Sequence, residues 1–405
     1  MFNQLTEASK LAQKIRIQTV ADFILKNELN ISKEMSVMVA EQYMFREKLQ
    51  SKVPEWFQNT GVLGPKKVSI EQSSSEFTAK IKASFFKGKS GIDLTGGMGV
   101  DTYFLARSFD RFIYNEANRE LAEIVAFNFE KLGVKNVTFK NSDAAELFTQ
   151  LNEHFDLIYL DPARRDKDNK KVILIEDCEP DLISLKDALL SQCEWLMVKY
   201  SPLLDIKKAI RSLQNVDKIK VISEKNEVKE LVFILGKAKN EDPEIECING
   251  LSSGGTESFT FTFQEETDAF VKYSGPLSYL YEPNASIMKG GAFKSVAHRF
   301  GLQKLSPNSH LYTSGEPIED FPGRTFVIES TGNFDKKQIL AKIKTGKANI
   351  STRNFPLKPE EIKSKTGLKD GGDDYLFFTQ DNNNKKLVLF CKKYPVQGHS
   401  PLPGL

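Results

Sequence analysis

The chain has 405 residues, 40% hydrophobic and 27% charged, with a formal net charge of +2. These values exclude wholesale disorder, and the length exceeds one ordinary domain, so about two to four domains are expected. No apolar run is long enough to span a bilayer, the N-terminus lacks the charged-then-apolar order of a signal peptide, and Cys178, Cys193, Cys247 and Cys391 have no metal-ligand spacing; a cytoplasmic protein without a metal site is predicted.

From the N-terminus to about Phe57, apolar residues recur at helical spacing, first at Leu11, Ile15, Val20, Phe23 and Ile24 and later at Met38, Val39, Tyr43 and Leu49. This predicts an N-terminal helical domain, residues 1–80. A turn-rich stretch from Asn59 to Pro65 follows the helices. Ser73-Ser74-Ser75-Glu76 then announces another helix, with Ser73 as its cap and Glu76 reaching back to the Ser73 amide.

Residues 81–240 alternate short β-like runs with helical stretches. Strands are predicted at 91–94, 111–115, 137–140, 156–160, 195–199, 219–223 and 230–235, with helices after the first five. Such alternation implies an α/β fold, a mostly parallel seven-stranded Rossmann-like sheet with helices on both faces. Too few residues separate the last two strands for a crossover helix, so they are predicted as an antiparallel hairpin.

Beyond Asn240, Ser258-Phe259-Thr260-Phe261-Thr262-Phe263 alternates at period two, as a half-buried strand does. Residues 241–325 are predicted as a β-hairpin followed by a small α+β unit at 279–325, residues 326–405 as a second α+β unit, and Asn382-Asn383-Asn384 as a turn between strands. Charge is uneven along the chain. Residues 1–90 have 14 Lys/Arg against 9 Asp/Glu and residues 331–405 have 14 against 7, whereas 91–240 have 22 against 25 and 241–330 have 6 against 13. Basic ends suit a polyanion-binding protein, because lysines and arginines that neutralise phosphates supply most non-specific nucleic-acid affinity. A solvated charged surface gives the same count.

The strongest chemical signal is Ile92-Asp93-Leu94-Thr95-Gly96-Gly97-Met98-Gly99-Val100-Asp101, a strand running into a glycine-rich turn that opens a helix. Glycines at such a turn let a ligand lie against the backbone and the helix N-terminus. A dinucleotide fingerprint starting at Gly97 needs glycine or alanine at position 102, where the chain has Thr102, which disfavours a nicotinamide-dependent oxidoreductase. Acidic residues stand at the carboxyl ends of four successive predicted strands: Asp93 at the end of the first, and Glu116, Asp143 and Asp161 after the next three. All four fall at the sheet edge where open α/β folds bind ligands, and Glu116 stands where an acid accepts ribose hydroxyls.

This loop and acid series resembles the class I S-adenosylmethionine-dependent methyltransferases. Glu71-Gln72-Ser73-Ser74-Ser75-Glu76-Phe77-Thr78-Ala79, Leu160-Asp161-Pro162-Ala163-Arg164-Arg165, Lys199-Tyr200-Ser201-Pro202 and Arg353-Asn354-Phe355-Pro356 extend the likeness to bacterial methyltransferases with a C-terminal THUMP-like domain. The resemblance implies a helical N-terminal domain, a catalytic domain, a ferredoxin-like unit and a THUMP-like unit. It further implies that S-adenosyl-L-methionine is the cofactor, held by Asp93, Thr95, Gly96, Gly97, Gly99, Glu116 and Asp143, with Asp143 at the adenine amine. True THUMP domains present RNA to attached enzymes, so the implied partner is structured RNA, such as tRNA or rRNA.

Asp161, Pro162 and Arg164 are the implied catalytic residues, and Glu71, Gln72, Arg165 and Ser201 the implied substrate-side residues. In amino-directed nucleic-acid methyltransferases the post-strand-four motif is Asp or Asn, Pro, Pro, aromatic. Here Ala163 and Arg164 replace the last two, a departure that argues against an exocyclic amine as acceptor. An arginine can stack on a base or pair with a phosphate. Cys178 lies in no recognisable nucleophile motif, which argues against covalent catalysis. A non-catalytic RNA-binding or assembly protein on the same fold, or a methyltransferase acting on a protein or small molecule, also fits the sequence.

Overall fold

Five apolar runs form parallel strands: β1 (Gly88–Asp93), β2 (Phe109–Asn115), β3 (Val137–Lys140), β4 (Phe155–Leu160) and β5 (Cys193–Tyr200). β1, β4 and β5 are buried over most of their length, as expected when helices cover both faces of a parallel sheet. Two further strands follow, β6 (Val216–Glu224) and β7 (Glu227–Leu235), joined through Lys225 and Asn226, which both take positive φ. That is the two-residue turn the predicted hairpin required.

The computed structural model describes all residues except 1, 17–18, 27–28, 66–69, 165–174 and 396–405. Two compact units result: Met1–Asp217 with Glu230–Asn240, and Lys218–Lys229 with Glu241–Leu405. In the first unit the strand order is β7-β5-β4-β1-β2-β3, with β7 antiparallel to β5 and the other pairings parallel. The carboxyl ends of β1 to β5 therefore share one edge.

Helices return the chain between these strands, and four start at a side-chain cap that takes otherwise unpaired amides: Asn118 before Arg119–Lys131, Asp143 before Ala144–Gln150, Asp181 before Leu182–Ser191 and Asp205 before Ile206–Leu213. The N-terminal helices Phe2–Ala12, Lys33–Lys52 and Pro54–Phe57 belong to this same unit. Their Phe45, Leu49 and Trp56 share a core with Tyr103, Tyr114 and Phe129 of the sheet region. Two buried amides fix the turn-rich connection: Gln42 pairs with both backbone groups of Gly64, and Asn128 with both of Leu63, at 2.8–2.9 Å.

One local expectation is corrected. The helix Glu76–Ala83 is capped by Ser75, whose side chain accepts the Thr78 amide, rather than by Ser73. Ser73 instead closes the preceding turn, donating from its amide and its hydroxyl to the Ile70 carbonyl. The Glu76 carboxylate takes the Glu55 amide and Lys80.

In the second unit β6 runs parallel to β8 (Glu244–Gly250), which pairs antiparallel with β9 (Thr256–Phe261), the strand expected from the alternating run. A seven-stranded sheet follows, in the order Gln303–Lys304, Tyr312–Ser314, Tyr279–Pro283, Gly323–Gly332, Lys386–Lys393, Asp374–Gln380, Asn349–Thr352. Asn384, with φ 59°, lies in the turn joining Asp374–Gln380 to Lys386–Lys393. Glu282, 2% exposed, receives both Arg324 and Arg353 across this sheet.

Candidate active site

β1 ends at Asp93, which is buried and accepts the Thr95 amide at 3.0 Å and the Thr102 hydroxyl at 2.7 Å. No cationic side chain among the described residues pairs with it. Burial pushes this carboxyl up to about 7, against the two hydrogen bonds and with help from Asp101 and Asp161. Thr102, which spoils a dinucleotide fingerprint, thus holds the acid at the strand end.

The loop beyond Asp93 is glycine-rich for two different reasons. A Cβ on Gly96 would lie 2.1 Å from the Tyr114 ring, so packing excludes a side chain there. At Gly97, φ is +50° and a Cβ would meet nothing nearer than 3.9 Å, so the backbone borders open space. Gly99, with φ +76°, starts the helix Val100–Leu105.

Glu116, following β2, accepts the Gly97 amide at 3.0 Å and the Asn118 amide at 2.8 Å, one on each carboxylate oxygen. Each oxygen retains a lone pair for a hydroxyl. Buried Asn115 clamps the neighbouring loops, donating to the Leu94 and Ser142 carbonyls and accepting the Ser142 amide. Asp143 follows on the exposed rim, where its Oδ1 accepts the Ala145 and Glu146 amides.

β4 delivers Asp161, whose amide donates to the Thr95 hydroxyl at 2.7 Å. Its carboxylate Oδ2 lies 2.5 Å from Lys199 Nζ, at the end of β5. Behind this pair is a cluster of buried polar groups. Asp101 Oδ2 accepts the hydroxyls of Ser74 at 2.8 Å and Tyr159 at 2.7 Å and lies 3.9 Å from Lys199 Nζ. Asp101 Oδ1 lies 3.1 Å from Lys82 Nζ, and Lys82 in turn pairs with Glu230. Ser74 Oγ also accepts from Lys82 at 3.0 Å and Lys199 at 3.3 Å.

Burial alone would raise the Asp101 carboxyl, but Lys82 and Lys199 outweigh it and the carboxyl is lowered. Burial likewise works against the Lys199 ammonium, yet Asp161, Asp101 and Glu230 hold it well above the ordinary lysine value.

Direct hydrogen bonds thus join Asp93 and Asp161 through Thr95, and Glu116 to Gly97 of the same loop, which also holds Gly96 and Gly99; Asp143 lies on the loop that Asn115 clamps through Ser142. Pro162 is buried next to Asp161, and the Arg164 backbone pairs with Cys178 in a two-residue ladder. The Arg164 side chain and the whole of Arg165 lie outside the described residues. Glu71 and Gln72 are exposed, and the Glu71 carboxylate pairs with Lys48 at 2.9 Å. Ser201 Oγ accepts the Leu203 amide just after β5.

Sequence reasoning missed Ser74, Lys82, Asp101, Lys199 and Glu230 as site residues, although Ser74, Asp101 and Lys199 lie inside the motifs quoted above. The available signal was a charge within otherwise apolar context, as at Lys199 in Trp195-Leu196-Met197-Val198-Lys199.

Comparison with known proteins supplies the context. Residues 77–221 match a family described as Conserved hypothetical protein 95, residues 279–322 a ferredoxin-like domain and residues 323–393 a THUMP domain-like family. No curated protein matches the chain. A crystal structure of a Porphyromonas gingivalis W83 protein assigned to the methyltransferases is 35% identical, with a TM-score of 0.87 over 97% of this chain and 99% of that one. An rRNA methylase from Streptococcus thermophilus is 15% identical, covering 40% of this chain and 96% of that one at a TM-score of 0.31. A Streptococcus mutans protein in complex with SAH, also assigned to the methyltransferases, is 16% identical, covering 39% and 97% at a TM-score of 0.30.

Proposed function

The chain belongs to the S-adenosylmethionine-dependent methyltransferases with a C-terminal THUMP-like domain, and on that premise we propose that it methylates a base of structured RNA, tRNA or rRNA. The observation behind the site assignment is the hydrogen-bonded series Asp93, Glu116 and Asp161 around a glycine loop whose Gly97 borders open space.

The site residues fit the cofactor. Asp93 is a buried carboxylate in want of a cation, which the cofactor's amino-acid portion brings. Glu116 retains lone pairs for the ribose hydroxyls, and Asp143 receives the adenine amine. Gly96, Gly97 and Gly99 keep the loop close to the ligand, and Thr95 joins it to Asp161. When bound, the cofactor supplies an electrophilic methyl group on a sulfonium.

The protein's own contribution is alignment and electrostatics, since in-line displacement needs little else. Asp161 and the Pro162 carbonyl address the acceptor, with the Asp161 carboxylate positioned to take its proton. Arg164 and Arg165 contact the nucleotide, and Glu71, Gln72 and Ser201 lie on the substrate side. The catalytic domain is residues 81–240. Residues 241–405, whose last 75 residues are strongly basic, bind the RNA.

The test is transfer of labelled methyl from S-adenosylmethionine into total RNA from a strain deleted for this protein, with Asp161→Ala as control. Label in one RNA size class, absent with Asp161→Ala although that variant still binds cofactor, is expected. Cofactor binding by the wild type with no RNA label would redirect the activity to a protein or small-molecule acceptor.

A further inference from the structure

We infer that Lys199 is a positioning residue for methyl transfer, holding Asp161 at the outer end of a buried chain of alternating charges. The chain runs Glu230, Lys82, Asp101, Lys199, Asp161, each member paired with the next. It draws on five separate elements: β7, the helix Glu76–Ala83, the helix Val100–Leu105, β5 and the residue after β4. This proposal rests on the methyltransferase reading and adds what makes Asp161 competent.

Exposure shows which end of the chain does chemistry. The side chains of Lys82, Glu230, Asp101 and Lys199 are 0%, 6%, 9% and 11% exposed, whereas that of Asp161 is 36% exposed. A buried structural ion cluster would be covered at both ends. This one opens to solvent only at the residue beside the glycine loop. Three carboxylates and two ammonium groups leave one excess negative charge, and Asp161 is the member that meets an incoming group. Negative charge there favours both a sulfonium methyl donor and the proton released by the acceptor.

The geometry also fixes the Asp161 side chain. Its amide is held by Thr95 and its carboxylate by Lys199, so backbone and side chain are anchored from different strands. Lys199 is itself restrained by Asp101 and by Ser74, whose hydroxyl donates to Asp101 and accepts from both lysines. A long side chain that would lose rotamer freedom to hold an exposed acid is already ordered before substrate arrives. Misplacement of a reacting group by about 1 Å costs roughly a hundredfold in rate, which sets the expected effect.

The experiment compares methyl transfer rate and cofactor affinity for the wild type, Asp161→Asn, Lys199→Met, Lys199→Arg and the double variant Asp161→Asn/Lys199→Met. Lys199→Met is expected to slow transfer about a hundredfold with cofactor affinity within about threefold of wild type, and Lys199→Arg to recover most of the loss. The double variant is expected to be no slower than Asp161→Asn alone, because Lys199 acts through Asp161. Losses that multiply, or a loss confined to cofactor affinity, would overturn the proposal.

Should Lys199→Met fail to fold, Ser74→Ala removes three hydrogen bonds to the chain without changing its charge. A folded Ser74→Ala protein is expected to transfer about tenfold more slowly, and an unchanged rate counts against the proposal. A substrate-free measurement separates this inference from the choice of RNA. The 15N-ammonium resonance of Lys199, assigned by its loss in Lys199→Arg, is expected to shift in Asp161→Asn whatever the acceptor. No shift would mean that the pair does not form.

Discussion

The Thr95 hydroxyl accepts the backbone N–H of Asp161 at 2.7 Å, so one hydrogen bond joins the glycine-rich loop after β1 to the loop after β4. Thr95→Val is isosteric but leaves that N–H unpaired in a partly buried position, a cost of about 1–3 kcal/mol. Transfer is expected to slow about tenfold, with cofactor affinity less affected. Thr95→Ser, which keeps the oxygen, is expected to behave as wild type. Equal activity of the Val and Ser variants in a single-turnover assay would show that the bond does not matter.

Asp93 makes cofactor binding depend on pH. Its carboxyl titrates at about 7 in the folded protein against an ordinary 3.8, because burial disfavours the charged form. The folded chain therefore binds a proton more tightly than the unfolded one, and cofactor-free stability falls as pH rises from about 4 to about 7. Cofactor affinity runs the other way: a cationic amino group needs the ionised acid, so affinity is expected to fall about tenfold per pH unit below 7, and to decline again above about 8 as the α-amino group loses its proton. Calorimetric titration across pH 5–9 checks this. Asp93→Asn should abolish the fall below pH 7, weaken binding more than tenfold and raise the melting temperature of the cofactor-free protein.

Adjacent glycines should fail in different ways. Gly96→Ala drives a methyl into Tyr114 and is expected to cost about 1–3 kcal/mol in urea unfolding. Gly97→Ala meets no packed atom, so only its φ of +50° is penalised, by about 1 kcal/mol. Its methyl occupies the space beside the loop, and cofactor affinity is expected to drop at least tenfold in a protein that still folds. Normal binding by Gly97→Ala would move the cofactor away from this loop.

Lys82 is fully buried between Asp101 and Glu230. Lys82→Met leaves both acids short of their partner and is expected to destabilise the protein by about 3–5 kcal/mol. Pairing Lys82→Met with Glu230→Gln should restore part of the loss, since the uncompensated charge at Glu230 is removed and Asp101 keeps Lys199 as its partner. A change below 1 kcal/mol on denaturant unfolding would contradict the buried pairing.

Much of the catalytic domain was legible in the sequence because its strands are short, apolar and separated by helices with Asn or Asp caps. β3 is found at its predicted boundaries, β4 begins one residue early and ends where predicted, and β5 extends two residues further at its start and one at its end. The cap at Ser75 rather than Ser73 was not legible, since three consecutive serines offer equal caps and only the turn at Ile70–Gln72 selects among them. The hairpin expected within 241–325 had bounds for neither strand beyond the alternating run: the first, Glu244–Gly250, is delimited only through its pairing with β6 and β9.

The candidate site divides in the same way. Sequence alone determined the glycine loop and the acids at successive strand ends, because the period of a βα repeat places those positions along one edge whatever the remaining packing. It did not determine that Lys82, Asp101, Lys199 and Glu230 converge. These residues lie up to 148 positions apart, and a charge within an apolar run does not announce its partner. Tertiary structure decided that pairing, because an ion deprived of water is tolerable only where the folded chain brings its counter-ion and hydroxyl donors to it.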